Sequence, residues 1–252
     1  MMTTKIFDGR TEARLIEETL KNSGKLQGKK LLILQCDGNS SESGYIRLKR
    51  EMGEKLGVEV TVEFVTRKDE VKERIKAAND QKIDGILVQL PIKDADRAET
   101  EQILSTIDQE KDIDGLNPKS GFVPAVVLAV EAVMEKINVG RDMAIAIVGS
   151  EGMVGKRLYD RLIELGFVVS GFDLGDDLMR LRDFDVIISC TGKEDLIKPE
   201  MVREGFAGID LGYPRAGISA EAAEKAGFIT PVPGGAGPLT VVSLFENLAE
   251  TG

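Results

Sequence analysis

Tyr45 and Lys49 stand four residues apart in "SGYIRLKRE" (43–51), a spacing that puts both side chains on one face of a helix. A phenol and an amine so paired can orient a substrate and handle a proton, provided the amine is drawn out of water and its pKa falls. Taken alone, the stretch reads first as a solvated helix whose Arg47, Lys49, Arg50 and Glu51 face water. The chain has no histidine, so the side chain that usually moves protons near neutral pH is missing. Acid–base work would then need a shifted Lys, Tyr, Cys or carboxylate. Two distant cysteines without histidine make no usual zinc ligand set, and no metal is expected.

A second candidate is "IAIVGSEGMVGKRL", where Gly149, Gly152 and Gly155 follow a strand-like run and open a helical one. Glycines at that place let a backbone approach a pyrophosphate at a helix N-terminus. The spacing is GxxGxxG rather than GxGxxG, and a tight turn without ligand is the competing reading. Asp173 follows the next strand, 24 residues after Gly149. A carboxylate there accepts from ribose hydroxyls and repels a 2′-phosphate, although in "GFDLGDD" it also reads as a turn residue.

Positioning such groups requires a framework, and the chain alternates strand-like and helix-like runs throughout. Strands are expected at 30–36, 58–65, 84–90, 143–149, 167–172, 185–192 and 206–212, with helices over 40–56, 68–80 and 124–136 and a final one in "VVSLFENLAE". This pattern predicts an α/β fold with parallel sheets and helices on their faces. Loops rich in Asp, Gly, Asn and Pro at 111–122 and 230–240 divide it into two lobes. Residues 1–122 with the terminal helix 238–252 are expected to form one domain, and 123–237 a Rossmann-like dinucleotide-binding domain, with a ligand cleft between them.

The net charge of −10 argues against nucleic-acid binding, and no apolar run is long enough to cross a membrane. The start lacks a secretory apolar region, and Cys36 and Cys190 read as buried thiols in a reducing compartment, so a cytoplasmic protein is expected.

"VQLPIKD" (88–94), "KDIDGLNP" (111–118) and "VPGGAGPLT" (232–240) are more specific than any glycine pattern. Together with "KIFDGR", the Tyr-x-x-x-Lys pair and "MVREGFAGIDLG", they resemble the bifunctional methylenetetrahydrofolate dehydrogenase/cyclohydrolase family, collinearly over nearly the whole chain. The resemblance implies catalytic roles for Tyr45, Lys49, Gln89 and Asp114, and folate contacts that add Val88, Leu90, Pro233, Gly234 and Gly235. It implies dinucleotide contacts at Gly149, Ser150, Glu151, Thr191, Gly192 and Tyr213, to which the reading of the glycine turn and the next strand end adds Gly152, Val154, Gly155 and Asp173. It further implies NAD(P)-dependent oxidation of methylenetetrahydrofolate, hydrolysis of the methenyl product, and a homodimer. The family leans towards NADP. Here Ser150 replaces the family's arginine in the glycine turn, and with Asp173 this favours NAD. A dehydrogenase acting on another pterin or small substrate, and a degenerate folate-binding protein, are the alternatives.

Overall fold

The computed structural model describes residues 4–39 and 41–252. In chain order these form β1 (Lys5–Ile6), α1 (Gly9–Ser23), β2 (Lys30–Gln35), α2 (Gly44–Lys55), β3 (Glu59–Phe64), α3 (Lys68–Asn79), β4 (Gly85–Gln89), α4 (Arg97–Leu104) and α5 (Ala125–Lys136). They continue through β5 (Ala144–Val148), α6 (Met153–Glu164), β6 (Val168–Phe172), β7 (Val186–Ser189), β8 (Ala207–Asp210), α7 (Ala220–Ala223), β9 (Phe228–Ile229) and α8 (Ala236–Ala249). Two compact units result, one of Arg14–Ala125 with Val241–Gly252, the other of Val126–Thr240 with the N-terminal segment that ends at Ala13.

The first unit is built on a parallel three-stranded sheet in the order β3-β2-β4. β2, "KLLILQ", is buried at every residue but Lys30, as a central strand covered on both faces must be. Each such Leu or Ile withdrawn from water contributes about 1.5–3 kcal/mol. α2 starts later than expected. Ser43 is its N-cap and accepts a hydrogen bond from the Ile46 amide, so residues 41–43 are not helical, and residue 40 of the expected helix lies outside the described residues.

The second unit carries a parallel six-stranded sheet in the order β1-β9-β8-β7-β5-β6. Its core includes Val148, Phe172, Leu181, Phe184, Ile187 and Phe206, with the Phe172 and Phe184 rings edge to face at 5.4 Å. The N-terminal segment departs from the expected division. β1 pairs with β9, Lys5 opposite Phe228 and Ile6 opposite Ile229, which places residues 4–13 in the Rossmann-like unit. The last helix also begins earlier, at Ala236 within the Pro/Gly-rich stretch. Pro238 is tolerated there because first-turn amides need no helical partner.

Candidate active site

Lys49 is not solvated: 3% of it is exposed, although its neighbours Arg47 and Leu48 face water. α2 turns Lys49 inward, and its Nζ donates to Oε1 of Gln89 at the end of β4, at 2.8 Å. The Gln89 amide is itself oriented, since Nε2 donates to the Leu90 carbonyl at 2.9 Å and leaves Oε1 for the lysine. The Tyr45 ring lies beneath the same ammonium, 4.7 Å from Nζ to its centroid. Burial pushes the Lys49 ammonium below its ordinary pKa, and the negative charge of Asp114 partly restores it. Burial raises the Asp114 carboxyl, with Lys49 opposing. The structure therefore brings Tyr45, Lys49, Gln89 and Asp114 together within the first unit.

Two residues not anticipated from the sequence organise this cluster. Gln35 is buried at the end of β2; its Nε2 donates to both Asp37 carboxylate oxygens at 2.9 and 3.0 Å and to the Ser41 carbonyl at 3.1 Å. It thereby holds the loop that delivers α2. Asp112 is 1% exposed and accepts from the Asn117 amide at 2.8 Å through Oδ2, while Oδ1 has no hydrogen-bond partner among the described residues. Burial pushes its carboxyl up to about 6, against the Asn117 amide and with help from the charge of Asp114. Of the expected folate contacts, Val88 is placed otherwise. The whole residue, backbone included, lies in the core at 1% exposure and offers a ligand no accessible surface. Gln89 is marked by the "VQLP" resemblance, whereas Gln35, which closes "KLLILQ" in the same way, stands in no such motif.

In the second unit the glycine turn joins β5 to α6. Gly149 has φ of +86°, and a Cβ on Gly155 would lie 2.0 Å from the Gly149 carbonyl oxygen, so only glycine permits this packing. Gly152 is the N-cap of α6 and offers no side-chain cap. The first-turn amides are thus left for a phosphate, to which the helix dipole adds attraction. Ser150 follows in the turn. Its hydroxyl donates to Asp173 Oδ2 at 2.5 Å, and the Glu151 amide donates to the same carboxylate at 3.0 and 3.2 Å. Gly171 makes room, since a Cβ there would sit 2.3 Å from Ser150 Oγ. Val154 lies half-buried in the first turn of α6.

Thr191, after β7, abuts the turn, with its Cγ2 2.9 Å from where a Gly149 Cβ would be. Its Oγ1 is buried and has no hydrogen-bond partner among the described residues, as is also true of Ser189 Oγ. Buried hydroxyls left unpaired are costly, and a polar ligand atom would relieve them. An uncapped helix start, a carboxylate at the next strand end and an orphaned threonine hydroxyl together fit a dinucleotide. Gly192 is exposed beside Thr191, and Cys190, half-buried, is pushed up to about 12 by burial and by Asp210 and Asp173, which leaves its thiol protonated. Tyr213 stands 62% exposed on the loop after β8, two strands from β5 along the same sheet edge. Pro233, Gly234 and Gly235 follow β9, where the Gly234 carbonyl accepts from the Gly9 amide at 3.0 Å and the Gly235 amide donates to the Pro231 carbonyl at 2.8 Å.

Residues 7–114 match the catalytic domain of the tetrahydrofolate dehydrogenase/cyclohydrolase family, and residues 124–252 match its NAD(P)-binding domain. The chain is 32% identical to a bifunctional protein FolD of Halothermothrix orenii, over 96% of each chain. It is 31% identical to that of Helicobacter pylori, over 96% of this chain and 93% of the relative. Among solved structures it is similar to the bifunctional enzyme FolD, a methylenetetrahydrofolate dehydrogenase/cyclohydrolase, of Campylobacter jejuni. That match has a TM-score of 0.88 and 28% identity, covering 99% of this chain and 98% of the other. With both of its domains matched and full-length relatives above 30% identity, the chain belongs to the tetrahydrofolate dehydrogenase/cyclohydrolase family.

Proposed function

We propose that this protein is a bifunctional one-carbon folate enzyme, which oxidises 5,10-methylenetetrahydrofolate with NAD(P) and hydrolyses the methenyl product to 10-formyltetrahydrofolate. The observation that carries this reading is the buried Lys49, hydrogen-bonded to Gln89, stacked on Tyr45 and sharing its surroundings with Asp114. A bound dinucleotide supplies the hydride acceptor for the first step. That step asks alignment of the protein rather than a base, because the two nitrogens flanking the one-carbon unit stabilise the cation formed.

Hydrolysis needs proton handling. Water adds to the methenyl carbon, one carbon–nitrogen bond breaks, the freed ring nitrogen gains one of the water's two protons, and the other leaves to solvent as the formyl C=O forms. Lys49, with its pKa lowered by burial, takes a proton from the attacking water and returns one to that nitrogen. Gln89 fixes the amine, Tyr45 supports it and presents a ring to the substrate, and Asp114 accepts from the N–H and NH2 edge of the pterin. Leu90, next to Gln89 at the end of β4 and half-buried, adds a folate contact. Gly149–Gly152, Val154, Gly155, Thr191, Gly192 and Tyr213 serve the dinucleotide.

We further propose a preference for NAD. Asp173 is fixed at the turn by Ser150 and Glu151, where its charge opposes a 2′-phosphate and accepts from a 2′-hydroxyl. A homodimer follows from the family and is supported by β6, an edge strand with Val168 57% exposed. Free thiols at Cys36 and Cys190, and no helix able to cross a membrane among the described residues, support a cytoplasmic site of action.

The test mixes the protein with methylenetetrahydrofolate and each nicotinamide cofactor and follows methenyl-folate and reduced nicotinamide by absorbance. Reduced nicotinamide should appear, and methenyl-folate should then decay faster than it does without protein. Folate binding with neither signal would assign the chain to a degenerate binder.

A further inference from the structure

The acidic loop that presents Asp114 is held by a residue far away in sequence. Asn247, on α8, is 6% exposed, and its Nδ2 donates to two carbonyls, Ile113 at 2.9 Å and Val123 at 2.9 Å. Both protons of that amide are thereby used. Ile113 precedes Asp114, and Val123 lies on the returning limb of the same loop. The limbs touch, since a Cβ on Gly115 would lie 2.7 Å from Pro124 Cα, and the Ala125 amide closes the loop onto the Asp114 carbonyl at 3.2 Å. On the other side, Asn117 and Ser120 bind the carboxylate and carbonyl of Asp112. Asn247 is thus the single side chain among these contacts that ties both limbs to a rigid helix.

We propose that Asn247 is a positioning residue for the folate reaction, fixing Asp114 beside Lys49 by pinning the two limbs of its loop to α8. The inference rests on the folate reading of Asp114 given above. An aspartate on an untied loop would sample several positions, and its hydrogen bonds to a ligand edge would lose the advantage of preorganisation. Catalysis by a site that must hold its groups within fractions of an ångström depends on such supporting contacts.

The experiment compares wild type with Asn247→Leu, which keeps the branched shape and removes the donors, in wild-type and Asp114→Asn backgrounds. Asn247→Leu should raise the folate KM about tenfold while the cofactor KM stays within about twofold. In the Asp114→Asn background the same change should add less than about twofold to the folate KM, because the residue it positions is already disabled. A general structural role would instead lower the yield of active protein and act alike in both backgrounds. Should the leucine variant fail to fold, Asn247→Ser, which keeps one short donor, is read in the same way. An unchanged folate KM, or effects that multiply in the double variant, overturns the assignment of Asn247. If Asp114→Asn alone leaves the folate KM unchanged, the role of Asp114 falls first, and that of Asn247 with it.

Discussion

Replacing Asp112 by asparagine should stabilise the protein at neutral pH relative to acid. The carboxyl of Asp112 is pushed from 3.8 up to about 6, chiefly by burial. A group whose folded pKa is raised contributes stability that is fully present below 3.8 and is lost as pH rises through about 6. At about 1.36 kcal/mol per pH unit, ionising Asp112 in the folded state costs about 3 kcal/mol at neutral pH. Asparagine avoids that cost and still accepts from the Asn117 amide. Its NH2 would occupy the place of Oδ1, which lacks a partner among the described residues, at a cost of about 1 kcal/mol at every pH. The variant should therefore be about 1 kcal/mol less stable than wild type near pH 3 and about 2 kcal/mol more stable near pH 7.5. Urea unfolding across that range reads the difference directly. A stability difference that is the same at both pH values would refute burial of the charge as the cause of the shift.

Three further outcomes are expected. Lys49→Gln should lower methenyl-folate hydrolysis by at least about a hundredfold while cofactor binding persists; hydrolysis well above the spontaneous rate in a folded variant would remove Lys49 from the mechanism. Gly155→Ala should cost about 1–3 kcal/mol of stability and weaken dinucleotide binding, because its Cβ meets the Gly149 carbonyl oxygen at 2.0 Å; calorimetry showing unaltered cofactor affinity would contradict the turn's role. Asp173→Ser should reduce the ratio of kcat/KM for NAD over NADP by about tenfold, as expected from removing one opposing charge; a ratio that does not move would leave Asp173 without a part in cofactor choice.

Local pattern alone determined much of this molecule. Strand burial repeats within a few residues, so "KLLILQ" and "AIAIV" announce buried parallel strands, and glycines between a strand and a helix mark the turn at 149–155. The Tyr45/Lys49 spacing likewise placed both groups on one helical face. Tertiary structure decided what those groups are. "RLKR" reads as solvated, and Lys49 loses water only in the packed fold, where Gln89, 40 residues on, accepts from it and the charge of Asp114 acts on it. Desolvation belongs to the packed surroundings and has no local signature. β1 was illegible for a related reason: two residues carry no period, and only pairing with β9 makes them a strand and moves residues 4–13 into the Rossmann-like unit. Asn247 acts 134 residues away from Ile113, and Gln35 and Asp112 do their work from inside the core. A hydrogen bond between distant segments leaves no trace in the residues flanking either end, so the supports of the site emerge only once the chain has folded.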